Sequence, residues 1–312
     1  MSVKTVTPLL FLAVLSSLPA LAAQRAFVSS TGNDANGPAG CTLAAHCRSF
    51  QTAHNAVDAG GEIVALDTAG YGAVTISKSV TIMANPGVVA GISVGTGDGV
   101  TIATPEISVI LRGLAINNVG TGTHGINMTG GTFLMIENCI VSRFGVGAAV
   151  ATGAMVKVVN SLFRSNGTGM RIDGGATADV VGSQFLANSG AFGFSAHATA
   201  DTVTTASISD SVASGNFAGF VATTSVMNAT VRMSCTRCTA SNNVQNGFLA
   251  GAAMGGTTVM VVSGSKATFN GQAGFQNFAA GGTSTFASLG DNTLYINAGG
   301  DTSGIITPLA GQ

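Results

Sequence analysis

The segment KVVNSLFRSNG (157–167), followed by GMRIDGG (169–175), decides the fold because its pattern recurs along the chain. Each unit places an asparagine just before a glycine-containing turn, at intervals of 22, 28, 27 and 27 residues. A unit of this length holds two or three short strands and cannot bury an apolar face alone, so neighbouring units must stack. The sequence therefore predicts a solenoid. The asparagines are Asn166, Asn188, Asn216, Asn243 and Asn270.

Apolar positions repeat in the same register as these asparagines. Val158 and Val180 belong to a file of Ile and Val that also includes Cys235, and a second strand after each turn begins with Gly and an apolar residue, often Phe. Parallel strands about 4.8 Å apart bring equivalent side chains into contact along the axis. We predict an all-β parallel β-helix in which like side chains stack on like.

The asparagine of each unit is predicted to be structural. Its amide is placed to bond to the asparagine of the next coil and to turn backbone, which satisfies groups that would otherwise be buried and unpaired. We therefore interpret the five asparagines as a ladder that holds coils together, not as ligand-binding residues.

The first residues have the layout of a secretory signal peptide. Lys4 precedes an apolar run from Leu9 to Leu18 and the small-residue sequence Ala20-Leu21-Ala22. The run is too short for a membrane span. We expect a mature protein without a membrane span that is secreted or periplasmic.

The remaining chain is predicted to be one elongated domain, because a solenoid grows by adding coils. We divide the chain into a signal peptide at 1–22, an N-terminal cap with a helix at 23–60, β-helix coils at 61–296, and a C-terminal cap or tail at 297–312. Ser49 is the predicted N-cap of the short capping helix. Its position predicts that the helix covers the open end of the solenoid.

Five cysteines are an odd number for an oxidising compartment. Cys41 and Cys47 flank a short loop in the cap, and we predict a disulfide between them. Cys235 and Cys238 resemble half of a zinc site, but both fall in columns of the repeat, and no second such pair follows. We predict no metal site and leave a local Cys235–Cys238 bridge open.

The opening AFVSSTGNDANGP, the CRSFQTAHNAV helix, GGEIVALDTAGYG and the later NG turns resemble bacterial right-handed parallel β-helix proteins of the pectin-lyase-like superfamily. The resemblance covers nearly all of the chain after the signal peptide. It implies right-handed coils, export and polysaccharide as the ligand class. The superfamily includes lyases, hydrolases, epimerases and adhesins, so the resemblance specifies fold more than activity.

The acidic motifs that the resemblance implies for an enzyme are missing. Superfamily hydrolases carry an Asn-Thr-Asp strand, an Asp-Asp pair, a Gly-His-Gly and an Arg-x-Lys, and the lyases use acidic calcium ligands with a basic residue. Glycoside hydrolysis needs two carboxylates, and no two acids are adjacent here. One polar cluster is expected on the outward face of neighbouring coils, where Arg171 and Asp173 would lie beside Ser195 and His197. We favour its interpretation as an exposed cross-strand ion pair. The alternative is a site in which Asp173 orients His197 for acid/base chemistry.

We therefore favour an exported, non-catalytic protein that binds an extended polymer, such as a polysaccharide or cell surface, and is a monomer without a cofactor. Two alternatives stay open: a polysaccharide lyase or hydrolase with an atypical site at Arg171, Asp173 and His197, and a structural or assembly component. The net charge of −1 and the scattered charged residues, 8% of the chain, argue against nucleic acid as a partner.

Overall fold

Parallel strands wind around one core in a computed structural model that describes residues 24–309. The predicted signal peptide at 1–22 lies outside the described residues. The coils build three sheets of twelve, ten and ten strands, and neighbours in each sheet come from successive coils. The predicted all-β parallel β-helix is confirmed. Each coil contributes to sheets 1, 2 and 3 in that order.

The strands have the following bounds. Sheet 1 contains Arg25–Val28, Gly61–Ala65, Val80–Ala84, Ser108–Arg112, Phe133–Glu137, Met155–Val159, Thr177–Val181, Val203–Ser209, Thr230–Thr236, Thr257–Ser263, Thr283–Leu289 and Ile306–Leu309. Sheet 2 contains Ala69–Gly70, Ala90–Gly97, Leu114–Gly122, Ile140–Ser142, Leu162–Arg164, Gln184–Leu186, Val212–Ser214, Thr239–Ser241, Lys266–Thr268 and Thr293–Tyr295. Sheet 3 contains Val74–Ile76, Val100–Ile102, His124–Met128, Val146–Ala151, Thr168–Asp173, Phe192–Ala196, Ala218–Thr224, Phe248–Ala253, Phe275–Ala280 and Thr302–Ser303.

The core consists of equivalent side chains stacked from coil to coil. Phe163 pairs in register with Phe185, and their ring centroids are 5.3 Å apart. Phe220 and Phe248 on sheet 3 are also 5.3 Å apart, and Phe275 follows in the next coil at 5.4 Å from Phe248. All five rings are buried. The predicted stacking of like on like is confirmed by this register.

The asparagine file forms a continuous hydrogen-bonded ladder. The Nδ2 of Asn188 donates to the Oδ1 of Asn216 at 2.9 Å and to the carbonyl of Phe163 at 3.1 Å. Each rung repeats this arrangement through Asn243 and Asn270 to Asn297, a sixth member that the sequence analysis did not include. The amides thereby satisfy one another and backbone carbonyls of the sheet 2 strands.

A second polar ladder runs along the turns between sheets 1 and 2. The hydroxyl of Ser161 accepts from the backbone N–H of Cys139 at 3.1 Å, and that of Ser183 accepts from the N–H of Ser161 at 3.2 Å. Ser211 and Ser265 continue the pattern in later coils. The hydroxyls of this ladder thereby satisfy buried backbone N–H groups.

The N-terminal end is closed by the predicted helix, which spans Phe50–Ala56 with Ser49 as its N-cap. A 3₁₀ helix at Asp34–Ala39 precedes it. The predicted disulfide between Cys41 and Cys47 is present. Cys139, Cys235 and Cys238 are buried free thiols, so the bridge left open between Cys235 and Cys238 is not formed.

Strand pairing continues on both sides of the predicted coil region at 61–296. Arg25–Val28 pairs with Gly61–Ala65, and Ile306–Leu309 pairs with Thr283–Leu289. Sheet 1 therefore extends into both predicted caps. Among residues 24–309, neither helix has the length and hydrophobicity of a membrane-spanning segment.

Candidate binding face on sheet 3

Two neighbouring strands of sheet 3 position the cluster singled out from the sequence. Arg171 is in register with Ser195, and the backbone N–H of His197 donates to the carbonyl of Ile172 at 2.9 Å. Arg171, Asp173 and His197 therefore lie near one another on the outward face. The Nε of Arg171 is 3.4 Å from Oδ2 of Asp173, a partly exposed ion pair of small energetic value.

Ser195 does not belong to the open part of this face. Its side chain is fully buried, as is that of Val221 in the next coil, and the Ser195 hydroxyl has no hydrogen-bond partner within residues 24–309. Ser195 occupies an outward-facing position in the strand, but the outward face of the sheet is covered at this position. The expectation of an accessible Ser195 beside His197 is therefore wrong.

His197 is held by a hydroxyl and not by Asp173, the partner that the acid/base alternative requires. Its Nδ1 lies 3.0 Å from Oγ1 of Thr223 in the next coil, and no hydrogen bond joins it to Asp173. Burial lowers the pKa of His197, Arg171 lowers it further, and Asp173 opposes this only in part. The ring is therefore neutral near pH 7, suited to hydrogen bonding with uncharged partners.

An open cavity of about 440 Å³ lies beside this pair. His197, Thr223 and the exposed ring of Phe278 line it, together with Ser225 and Val226 from the following turn. Arg171 and Asp173 are not part of its lining. The sequence-predicted cluster is thus divided between an ion pair on the outer surface and a histidine at the cavity.

Phe278 owes its exposed position to a glycine in the preceding coil. Phe278 is in register with Gly251, and a Cβ on that glycine would lie 2.2 Å from the phenylalanine ring. The ring thus covers bare backbone and keeps 42% of its surface exposed. Sequence reasoning missed Phe278 because most phenylalanines fall in inward columns, yet its place two residues after the outward Gln276 is itself an outward position.

A second polar group on the same sheet was also missed. The Oδ1 of Asp98 accepts from Nδ1 of His124 at 2.8 Å, and its Oδ2 accepts from the amide of Asn127 at 2.6 Å. Burial alone would raise the pKa of Asp98, but hydrogen bonds from Asn127 and His124 outweigh it and hold that pKa below its usual range. Aligning GDGV (97–100) with THGI (123–126) would have placed Asp98 one coil from His124.

The two carboxylates described on this face, Asp98 and Asp173, are both engaged by neighbouring side chains. Asp173 is engaged by Arg171, and Asp98 by His124 and Asn127, so neither is a free carboxylic acid facing a partner acid. Residues 24–309 contain no cluster of three or more His, Cys, Asp or Glu side chains placed to hold a metal. The cavity combines the aromatic ring of Phe278 with hydrogen-bonding groups, a combination that is typical of small ligand-binding subsites.

The chain belongs to the family described as right handed beta helix region, which matches residues 63–235. Its structure is similar to that of pectate lyase Pel9A, with a TM-score of 0.52 at 16% identity, covering 94% of this chain and 80% of that one. This likeness confirms the pectin-lyase-like fold inferred from the sequence, and the identity is too low to transfer an activity. No curated protein matches the sequence.

Two further solved structures are similar in part. A rhamnogalacturonan lyase has a TM-score of 0.38 at 11% identity, covering 86% of this chain and 74% of that chain. The GH136 lacto-N-biosidase from Eubacterium ramulus has a TM-score of 0.40 at 8% identity, covering 92% and 67%.

Proposed function

We propose that this is an exported, non-catalytic β-helix protein that binds an extended polysaccharide through the outward face of sheet 3. The observation that carries the proposal is the cavity in which the exposed Phe278 ring lies beside the His197–Thr223 pair. A saccharide chain offers C–H groups to an aromatic face and hydroxyls to imidazole and threonine, so the cavity can contact both the apolar and the polar groups of successive sugar units.

The geometry of the solenoid supports a polymer rather than an isolated small molecule. The cavity opens on a face built from parallel strands with a constant spacing of about 4.8 Å. His197 and Thr223 come from adjacent coils, and Phe278 lies two coils beyond Thr223 through Gly251. A ligand in contact with all three spans several coils along the axis, as an extended chain does.

Substituting Phe278 by Ala is expected to weaken binding of the best-retained polysaccharide about tenfold, because the ring supplies the apolar half of the subsite. Affinity electrophoresis against a panel of neutral and acidic polysaccharides measures the change. Phe269→Ala is the matched control, since Phe269 is 55% exposed in a turn outside the cavity.

The control variant should migrate like the unsubstituted protein in every gel. Retardation of the original chain by none of the polysaccharides, or equal retardation of both variants and the original, would reject the cavity as the binding subsite.

A further inference from the structure

A second open cavity, of about 270 Å³, lies on sheet 2, a face that the cavity lined by Phe278 does not touch. Arg143, Arg164, Asn117, Ser142 and Ile140 contribute to its lining. Ser142 is in register with Arg164 in the next coil and with Asn117 in the preceding one. Three successive coils therefore bring two guanidinium groups and an amide to one depression.

The two arginines differ from most others in this chain. Arg25, Arg112, Arg171 and Arg237 each form an ion pair with a carboxylate. Neither the Arg143 nor the Arg164 guanidinium has a hydrogen-bond or ion-pair partner anywhere in residues 24–309, and both side chains are exposed. Two unneutralised positive charges that share one cavity favour an anionic ligand.

The polar groups between them are oriented as donors. The Ser142 hydroxyl donates to Oδ1 of Asn117 at 3.0 Å, which occupies the amide oxygen and leaves the Asn117 Nδ2 free to donate outward. The turn that carries Arg143 is held from below, since Nδ2 of Asn118 donates to the Arg143 carbonyl at 2.9 Å. Arg143 has a φ of 70°, and the bond from buried Asn118 helps to hold this left-handed conformation.

All the charged residues in the strands of sheet 2 are positively charged. None of the ten strands of sheet 2 contains Asp or Glu, whereas they contain Arg164 and Lys266. The cavity also includes Ile140, which is 41% exposed next to the donors. A ligand that fits must therefore bring an oxyanion for the guanidinium groups and an apolar surface for isoleucine.

We infer that this cavity is a binding site for an acidic sugar unit, carboxylated or sulfated, within a polysaccharide that runs along sheet 2. The oxyanion bridges Arg143 and Arg164, the Asn117 amide donates to a ring hydroxyl or to the anion, and the C–H face of the sugar packs on Ile140. This site does not depend on the proposed subsite at Phe278, because the two cavities lie on different sheets.

The test compares two double variants with equal loss of positive charge. Arg143→Asn/Arg164→Ser removes the site, and Asn suits the left-handed backbone at position 143. Lys157→Ser/Arg232→Ser removes two exposed charges from sheet 1 and is the matched control. Thermal unfolding shows whether each variant keeps the stability of the original chain.

Binding is measured by isothermal titration at low and moderate salt with a polyuronate, a sulfated polysaccharide and a neutral polysaccharide. We expect the site variant to bind the acidic polymer about tenfold more weakly and with a shallower salt dependence, whereas the control changes less than about twofold. Arg164→Lys should give an intermediate loss, because a lysine keeps the charge without the planar fork.

Four results would overturn the inference. Equal weakening of polymer binding in both double variants would indicate general charge attraction. Failure of the original chain to bind either acidic polymer would indicate that the site has no such ligand. If inorganic sulfate binds in an arginine-dependent way and the acidic polymer binds no more tightly than sulfate, the site would be assigned to free anions. Arginine-dependent binding of a DNA oligonucleotide as tight as that of the acidic polysaccharide would also remove the sugar assignment.

Discussion

Asn216→Ala is expected to lower the free energy of unfolding by about 3–5 kcal/mol, the largest loss that we predict for a single substitution. The Asn216 Oδ1 accepts from both the N–H and the Nδ2 of Asn188, and its own Nδ2 donates to the carbonyl of Phe185. The residue is fully buried, so none of these groups regains a partner from water. Chemical denaturation of the variant and of the original chain measures the loss.

Asn117→Ala provides the comparison for that variant. Asn117 is half-buried on the outward face of sheet 2, and its side chain has one hydrogen bond within residues 24–309, accepted from Ser142. We expect this substitution to cost below about 1 kcal/mol. A cost for Asn216→Ala that matches the cost for Asn117→Ala would show that the ladder does not hold the coils together.

Acidification from pH 6.5 to pH 4 is expected to destabilise the protein by roughly 2–3 kcal/mol through His54 alone. Burial lowers the pKa of His54 to about 4, with a smaller contribution from the nearby charge of Lys78. The Nε2 of His54 accepts from the backbone N–H of Ser77 at 3.0 Å, a bond that protonation would abolish. The folded cap therefore favours the neutral form of the His54 imidazole over the protonated form.

The direction of the pH effect follows from the two pKa values. An unfolded histidine titrates near 6.5, so between pH 6.5 and 4 the unfolded chain binds more protons than the folded chain, and stability falls as the pH falls. Denaturation of the original chain and of His54→Gln at several pH values isolates this contribution, because the carboxylates are common to both.

A pH profile for His54→Gln with the same slope as the original would contradict this assignment. In that event the loss of stability in acid would belong to the carboxylates that both proteins share.

The register of the coils could be predicted because it follows from one period. Once Asn166 and Asn188 are aligned, every strand position is fixed as inward or outward, and the stacks of Phe163 on Phe185 and of Phe220 on Phe248 follow. Ser49 could likewise be identified as an N-cap from local sequence alone. These features depend on repetition and on nearest neighbours.

The candidate sites could be predicted only in part, because alternation along a strand does not determine what covers the strand. Ser195 is outward by alternation yet fully buried, and Thr223 rather than Asp173 is the partner of His197. The exposure of Phe278 depends on Gly251 one coil away. Arg143, one of the two arginines at the cavity on sheet 2, lies in a turn. Alignment of the strands alone therefore does not predict that it lies near Arg164.

The central claim, that the outward face of sheet 3 binds a polysaccharide at the cavity, is tested most directly by amide hydrogen exchange with and without a saturating neutral oligosaccharide. The account predicts slower exchange at residues 197–198, 223–226 and 278, with sheet 2 unchanged. Unchanged exchange at these residues under saturation, or protection confined to another face, would contradict it.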